Sequence, residues 1–191
     1  MNSPIPHRFA LLLCLCTLGL IFVGGLVTST QSGLAVPDWP LSYGRVLVPM
    51  KGAILFEHGH RAVAASVGLL TILTALLFQW MEPRPWLRRA AWGAVGLVVA
   101  QGLFGGLTVL FQLKKPVFSI AHACLAQTFF VLTVALSAWS SPAWEAAGPR
   151  DEGPEDSAPL HRVTLFLFIT LFLQLLLGAV IRHTGHGVLS H

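Results

Sequence analysis

Five stretches of this chain run for about 20 residues without Asp, Glu, Lys or Arg, the length a helix needs to cross the hydrocarbon core of a bilayer. They are residues 9–28, 62–80, 90–111, 117–141 and 163–181. In lipid a helix can pair its own backbone groups, whereas the alternating polar pattern of an outer-membrane strand is missing from all five. The sequence therefore predicts an all-α, polytopic membrane protein: a four-helix transmembrane bundle plus a fifth transmembrane helix. With 54% hydrophobic and 10% charged residues, the chain is also more apolar than a soluble domain needs to fill its core. His7 and Arg8 precede the first run as they would in a secretory leader, but its length and the lack of an A-x-A site favour a retained span.

Charge narrows the partners. The net charge of +4 is small, and the Lys and Arg residues fall between the runs rather than along a stripe, so the bilayer and not nucleic acid is the expected surface. Orientation is balanced. With the N-terminus inside, Arg8, Arg84, Arg88, Arg89, Arg150 and Arg162 stand against Arg45, Lys51, Arg61, Lys114, Lys115 and Arg182 outside. If Arg61 and Arg182, each beside a His, are held by a local site, the balance tips to a cytoplasmic N-terminus. Cys14, Cys16 and Cys124 all lie within apolar runs, where thiols behave as small hydrophobes.

The segments between the runs divide the chain. Residues 1–142 read as a four-helix transmembrane unit with an external loop at 29–56. Gly33, Pro37, Asp38, Trp39, Pro40 and Gly44 make that loop a structured cap or lid. Residues 143–161, with Glu145, Asp151, Glu152, Glu155 and Asp156, read as a flexible acidic linker. Residues 162–191 then hold the fifth helix. Gln101 precedes Gly105-Gly106 as Gln174 precedes Gly178-Ala179, and Gly24-Gly25 closes the first run similarly. Gly24, Thr30 and Gly33 recur as Gly178, Thr184 and Gly187 at a constant offset of 154. The fifth helix thus looks like the start of an incomplete second repeat, although small pairs also occur wherever helices approach closely.

The chemistry concentrates in Glu57-His58-Gly59-His60-Arg61, opening the second run, and in His122, just inside the fourth. Ionisable groups at such depths need partners or a task. Runs two and four cross in the same direction, so His60 and His122 enter from one side at similar depth, an arrangement suited to axial ligation of a haem iron. Glu57, His60 and Arg61 stand at i, i+3 and i+4 on one helix face, and His58 points elsewhere as a bystander. Arg61 could neutralise a haem propionate or pair with Glu57. The spacing lacks the H-E-x-x-H of a zinc site. Gln101 and Gln174 read as polar contacts between helices.

Residues 24–40 (GGLVTSTQSGLAVPDWP), Glu57-His58-Gly59-His60-Arg61 and Arg182-His183-Thr184-Gly185 resemble the haem A synthase family, from about Phe9 to the end of the chain. The resemblance implies eight spans in two pseudo-symmetric four-helix halves, of which this chain would supply the first half and the fifth helix. It implies oxidation of a haem O methyl to the formyl of haem A in cytochrome oxidase maturation, in a bacterial inner membrane. By the same resemblance His60 and His122 flank the haem O substrate, and Glu57 is the catalytic acid/base or charge-stabilising group. A haem b cofactor would belong to the second half. Partners would be haem O, a haem O synthase, oxidase assembly proteins, and either a second copy or a complementing second half. The Cys pair that some members carry in the first external loop has no counterpart here. Two other functions remain open: a haem-binding electron-transfer protein of the cytochrome b type, which needs the two His but not Glu57, and a haem-free assembly partner.

Overall fold

The computed structural model describes residues 3–147 and 154–183. Its helices are α1 (Ile5–Ser29), α2 (Ala53–Met81), α3 (Pro85–Leu110), α4 (Pro116–Trp139), α5 (Pro142–Ala147) and α6 (Pro154–His183). Four of them, α1 to α4, are long and apolar enough to cross a membrane, and the chain is an integral membrane protein. In α6 the apolar stretch among the described residues is shorter, Arg162–Gly178.

Local sequence explains where the helices start and stop. Proline occupies an early position of α1, α3 and α4, where its missing N–H would have had no partner in any case. After α1 the Thr30 hydroxyl donates to the Leu26 carbonyl at 2.7 Å, and Gln31 turns the chain at φ 54°. Gln112 and Leu113 take φ 49° and 57°, while the Leu113 N–H returns to the Thr108 carbonyl at 2.9 Å. That reverses the chain into α4 within a few residues, and the Phe111 and Phe118 rings stack across the reversal at 4.9 Å.

Each of the four spans packs on its two sequence neighbours in a ring, with α1 closing on α4, so α2 and α4 stand diagonally across the bundle. In the half remote from the external loop, Ala10, Leu13, Val67, Phe78, Leu87, Ala91, Ala94, Phe129 and Leu136 are buried together. Thr17, Thr71 and Thr74 are buried there too, but each hydroxyl donates to the carbonyl four residues earlier at 2.7 Å, so none is left unpaired. Helices in lipid gain little from hydrophobicity against one another, and this close packing is what holds the half together.

The remote end is closed by Arg84. Its Nε donates to Glu82 Oε1 at 2.6 Å, and its Nη1 to the Trp139 carbonyl at 2.9 Å. The guanidinium also meets Glu145 at 3.3 Å, and Trp86 packs edge-on against Trp139 at 5.2 Å. Burial raises the Glu82 carboxyl, but the hydrogen bonds and charge of Arg84 outweigh it and leave the group below its usual range.

Two boundaries differ from the sequence expectation. Helix α2 begins at Ala53, so the external loop covers residues 30–52 where the sequence suggests 29–56, and the motif from Glu57 to Arg61 lies inside the helix as its spacing implies. Charged residues within that first part of α2 are compatible with helix because the loop supplies their partners, as described below. The acidic segment at 143–161 is also not coil throughout. Short helix α5 occupies its start and α6 begins at Pro154, each opening on a proline with acidic residues following, a composition that favours a helix N-terminus.

Candidate functional site

In the loop-side half of the bundle the residues pointing inward change character. Leu20 and Gly24 on α1, His60 and Ala64 on α2, Gln101 and Gly105 on α3, and His122 and Ala126 on α4 continue the buried positions of their helices at helical spacing, yet all are only partly buried. Two of them are imidazoles on diagonal helices.

Each imidazole rests on a glycine of the preceding helix. A Cβ on Gly24 would stand 3.3 Å from the His60 ring, and a Cβ on Gly105 would stand 3.1 Å from the His122 ring. The small pairs that read as a repeat in the sequence therefore have a local cause, since the first glycine of each pair makes room for the histidine of the next helix. No atom lies within 4 Å of the corresponding position at Gly178 among the described residues.

The two rings differ in how they are held. His122 Nδ1 lies 3.1 Å from the Gln101 carbonyl, which can accept only if that nitrogen carries the proton. This leaves Nε2 as the nitrogen with a free lone pair. His60 Nδ1 is buried and has no hydrogen-bond partner among the described residues, and the same is true of Gln101 Oε1 and Ser119 Oγ. Buried polar atoms without partners are uncommon and call for an explanation. Ser119 precedes His122 by one helical turn and Gln101 supplies its acceptor, so all three orphans belong to the same end of the bundle.

Beside His60 the motif is committed to the external loop. Glu57 Oε2 accepts from the Val36 N–H at 2.8 Å, and Oε1 accepts from Arg61. Arg61 Nη1 donates to the carbonyls of Asp38 at 2.7 Å and Leu41 at 3.0 Å, and Nη2 to that of Val36 at 3.1 Å. Neither end of the Glu57–Arg61 pair is left to solvent, and Arg61 is held locally rather than standing as a free loop cation. His58, expected to be a bystander, is buried and lies 2.8 Å through Nδ1 from the Ser42 hydroxyl. It points away from His60, as its helical position requires, but toward the loop instead of the lipid.

The loop itself is tightly folded. Asp38 accepts from the N–H groups of Tyr43 at 2.7 Å and Gly44 at 2.8 Å, and these bonds hold its carboxyl below the usual range. The Tyr43 hydroxyl donates to the Ala35 carbonyl. Trp39 lies against α3 at Gly106. The spacing within the motif foretold that Glu57, His60 and Arg61 share a face. Ser42, Trp39 and the two ring-seating glycines had no such signal, because their partners are distant in sequence. The side chains of Arg182 and His183, and Thr184 and Gly185 altogether, lie outside the described residues.

With this geometry in hand, comparison with known proteins decides the family. The model of the cytochrome oxidase assembly protein family matches residues 7–55 and 48–190. The chain belongs to that family. It is 32% identical to the heme A synthase of Symbiobacterium thermophilum over 168 residues, covering 85% of this chain and 54% of that protein. It is 29% identical to the heme A synthase of Shouchella clausii, covering 93% and 59%. The heme A synthase of Methylobacterium sp. (strain 4-46) is 33% identical over 70% of this chain and 42% of its own length. The chain thus spans about half the length of these relatives. No solved structure shows a significant match.

Proposed function

We propose that this chain is the substrate-holding four-helix part of a haem A synthase-type oxidoreductase, taking haem O between His60 and His122 and serving its conversion to haem A in cytochrome oxidase maturation. The observation that carries the reading is the pair of imidazoles on diagonal helices, each seated closely on a glycine of the preceding helix. The residues fit a haem. The two imidazoles stand on diagonal helices, the His122 hydrogen bond leaves its Nε2 free, and a buried nitrogen of His60 has no partner among the described residues. His60 and His122 would hold the haem through its iron, and the chemistry at that site would be oxidation of a ring methyl to a formyl.

The chain's own residues divide the work. Gln101 fixes the His122 tautomer through its carbonyl. Glu57, anchored by two donors, is a stationary carboxylate one helical turn from His60, where it can stabilise positive charge developing at the methyl being oxidised. Arg61 orients that carboxylate and fastens the loop above it. The protein sits in a bacterial inner membrane with its N-terminus cytoplasmic, an orientation that follows the resemblance to haem A synthases and not the loop cations, since Arg61 on one side and Arg84 on the other are both held locally. A haem b cofactor and its ligands belong to the part of the relatives beyond this chain.

One observation favours a second reading. Both carboxylate oxygens of Glu57 already have donors, which suits a haem-binding electron-transfer protein in which Glu57 only anchors the loop. The deciding experiment is the absorption spectrum and extracted haem type of the detergent-purified chain, with His60→Ala, His122→Ala and Glu57→Gln beside it. Low-spin haem in the wild type, lost in both His variants, supports the site, and a haem-free wild type rejects it. Glu57→Gln that keeps haem but stops conversion supports the enzyme; unchanged conversion assigns Glu57 to the loop alone.

A further inference from the structure

The external loop is fastened to two neighbouring helices of the bundle, α2 and α3. On the α2 side Glu57, His58 and Arg61 hold Val36, Asp38, Leu41 and Ser42 through hydrogen bonds. On the α3 side the fastening is apolar. Leu113 Cδ1 would lie 3.7 Å from a Cβ on Gly33, and the indole of Trp39 lies so close to α3 that a Cβ on Gly106 would meet it at 2.6 Å. Such a distance is sterically forbidden, so only glycine permits this seat.

Gly106 directly follows Gly105, the residue on which the His122 ring rests. The indole and the imidazole therefore occupy consecutive positions of one helix, and Gly106 is buried a full turn below the end of α3. Trp39 is only partly exposed, its indole packed on Gly106 of α3, one residue along that helix from the glycine that seats His122. Successive residues of a helix point to neighbouring faces, so the seat holds a rigid apolar plane next to the face that carries the imidazole.

We propose that Trp39 is a positioning residue of the haem site: seated on Gly106, its indole walls the His122 side, steadies that ligand and keeps water and small ligands from the iron. This rests on the haem-binding reading above. Glycine at 106 and Trp at 39 then form one device, and neither works without the other.

The test uses the full chain in detergent, loaded with ferric protoporphyrin IX, and reads the ferric spectrum and the rate of cyanide binding. Trp39→Ala is expected to raise the high-spin fraction and to speed cyanide binding by about 10-fold, because the wall that excludes solvent is gone. Gly106→Ala should do the same by unseating the indole. Adding Gly106→Ala to Trp39→Ala should change nothing further, since the methyl then enters space the ring has left. Trp39→Phe, which keeps an aromatic plane, should stay near the wild-type rate, and Gly106→Ala carries the test if Trp39→Ala does not fold. Wild-type spectra and cyanide rates in Trp39→Ala, or in Gly106→Ala where Trp39→Ala does not fold, would reduce Trp39 to loop packing and overturn the proposal. Effects that simply add in the double variant would overturn the shared seat. A wild type that takes up no haem overturns the haem reading, and this proposal with it.

Discussion

The two halves of the bundle are made from the same helices and follow opposite rules. Away from the loop, inward positions are filled by Leu13, Phe78, Leu87 and Leu136, all fully buried, and by threonines that satisfy themselves. Toward the loop, the same helix faces present Gly24, His60, Gln101, Gly105 and His122, only partly buried and with polar atoms left unpaired. The first half spends its side chains on contact. The second withholds them, and its order comes from outside, from a loop hydrogen-bonded to α2 and seated on α3. The difference teaches that stability and binding are separated along the bundle axis, so each can be perturbed without the other.

The largest perturbation should come from the packed half. Phe78→Ala removes a fully buried ring and is expected to cost about 3 kcal/mol, read as a lower unfolding temperature in detergent, while the haem spectrum of the folded fraction stays unchanged. A spectrum that moved with it would show that the halves are coupled. Arg61→Ala should come next. It frees three loop carbonyls and the Glu57 carboxylate at once, with an expected cost of about 2 kcal/mol. Hydrogen exchange should rise over residues 36–45 and remain slow around Phe78. Equal rises in both places would break the comparison.

Gly105→Ala sharpens it further. A methyl at 3.1 Å forces the His122 ring aside by a few tenths of an ångström, and we expect haem affinity to fall about 10-fold, or about 1.4 kcal/mol, with little change in unfolding temperature. Gly24→Ala, with a looser contact of 3.3 Å, should weaken binding less. The smallest effect concerns acid. Asp38 has a folded-state pKa below its ordinary value of 3.8, so the loop gains stability from it that is complete above that value and is lost as pH falls through the lowered one. Exchange of the Tyr43 and Gly44 amides should therefore quicken only below about pH 4, and Asp38→Asn should abolish that dependence.

Much of this was readable before any coordinates. The spans were legible because lipid enforces a length and a composition, and His60 with Glu57 and Arg61 because helical spacing fixes which residues share a face. The helix carrying Glu57 to Arg61 is legible from that spacing, and only its first turn, from Ala53, lies in what reads as loop, because no apolar run marks it. His58 looked idle because its partner, Ser42, lies in a segment without periodicity. The glycines were visible as a pattern, but their purpose, to seat a ring from the following helix, needed two helices to be side by side.

The loop's fastenings also set an order of construction. Every hydrogen bond between the loop and α2 joins residues that precede Ala62, so this part can close as soon as the second span has entered the membrane. The indole cannot be seated until Gly106 arrives with the third span, nor Gly33 packed until Leu113 follows. During synthesis the roof is thus hinged before it is latched, and a nascent chain passes through a stage in which His60 is already in place while the opposite wall is still open.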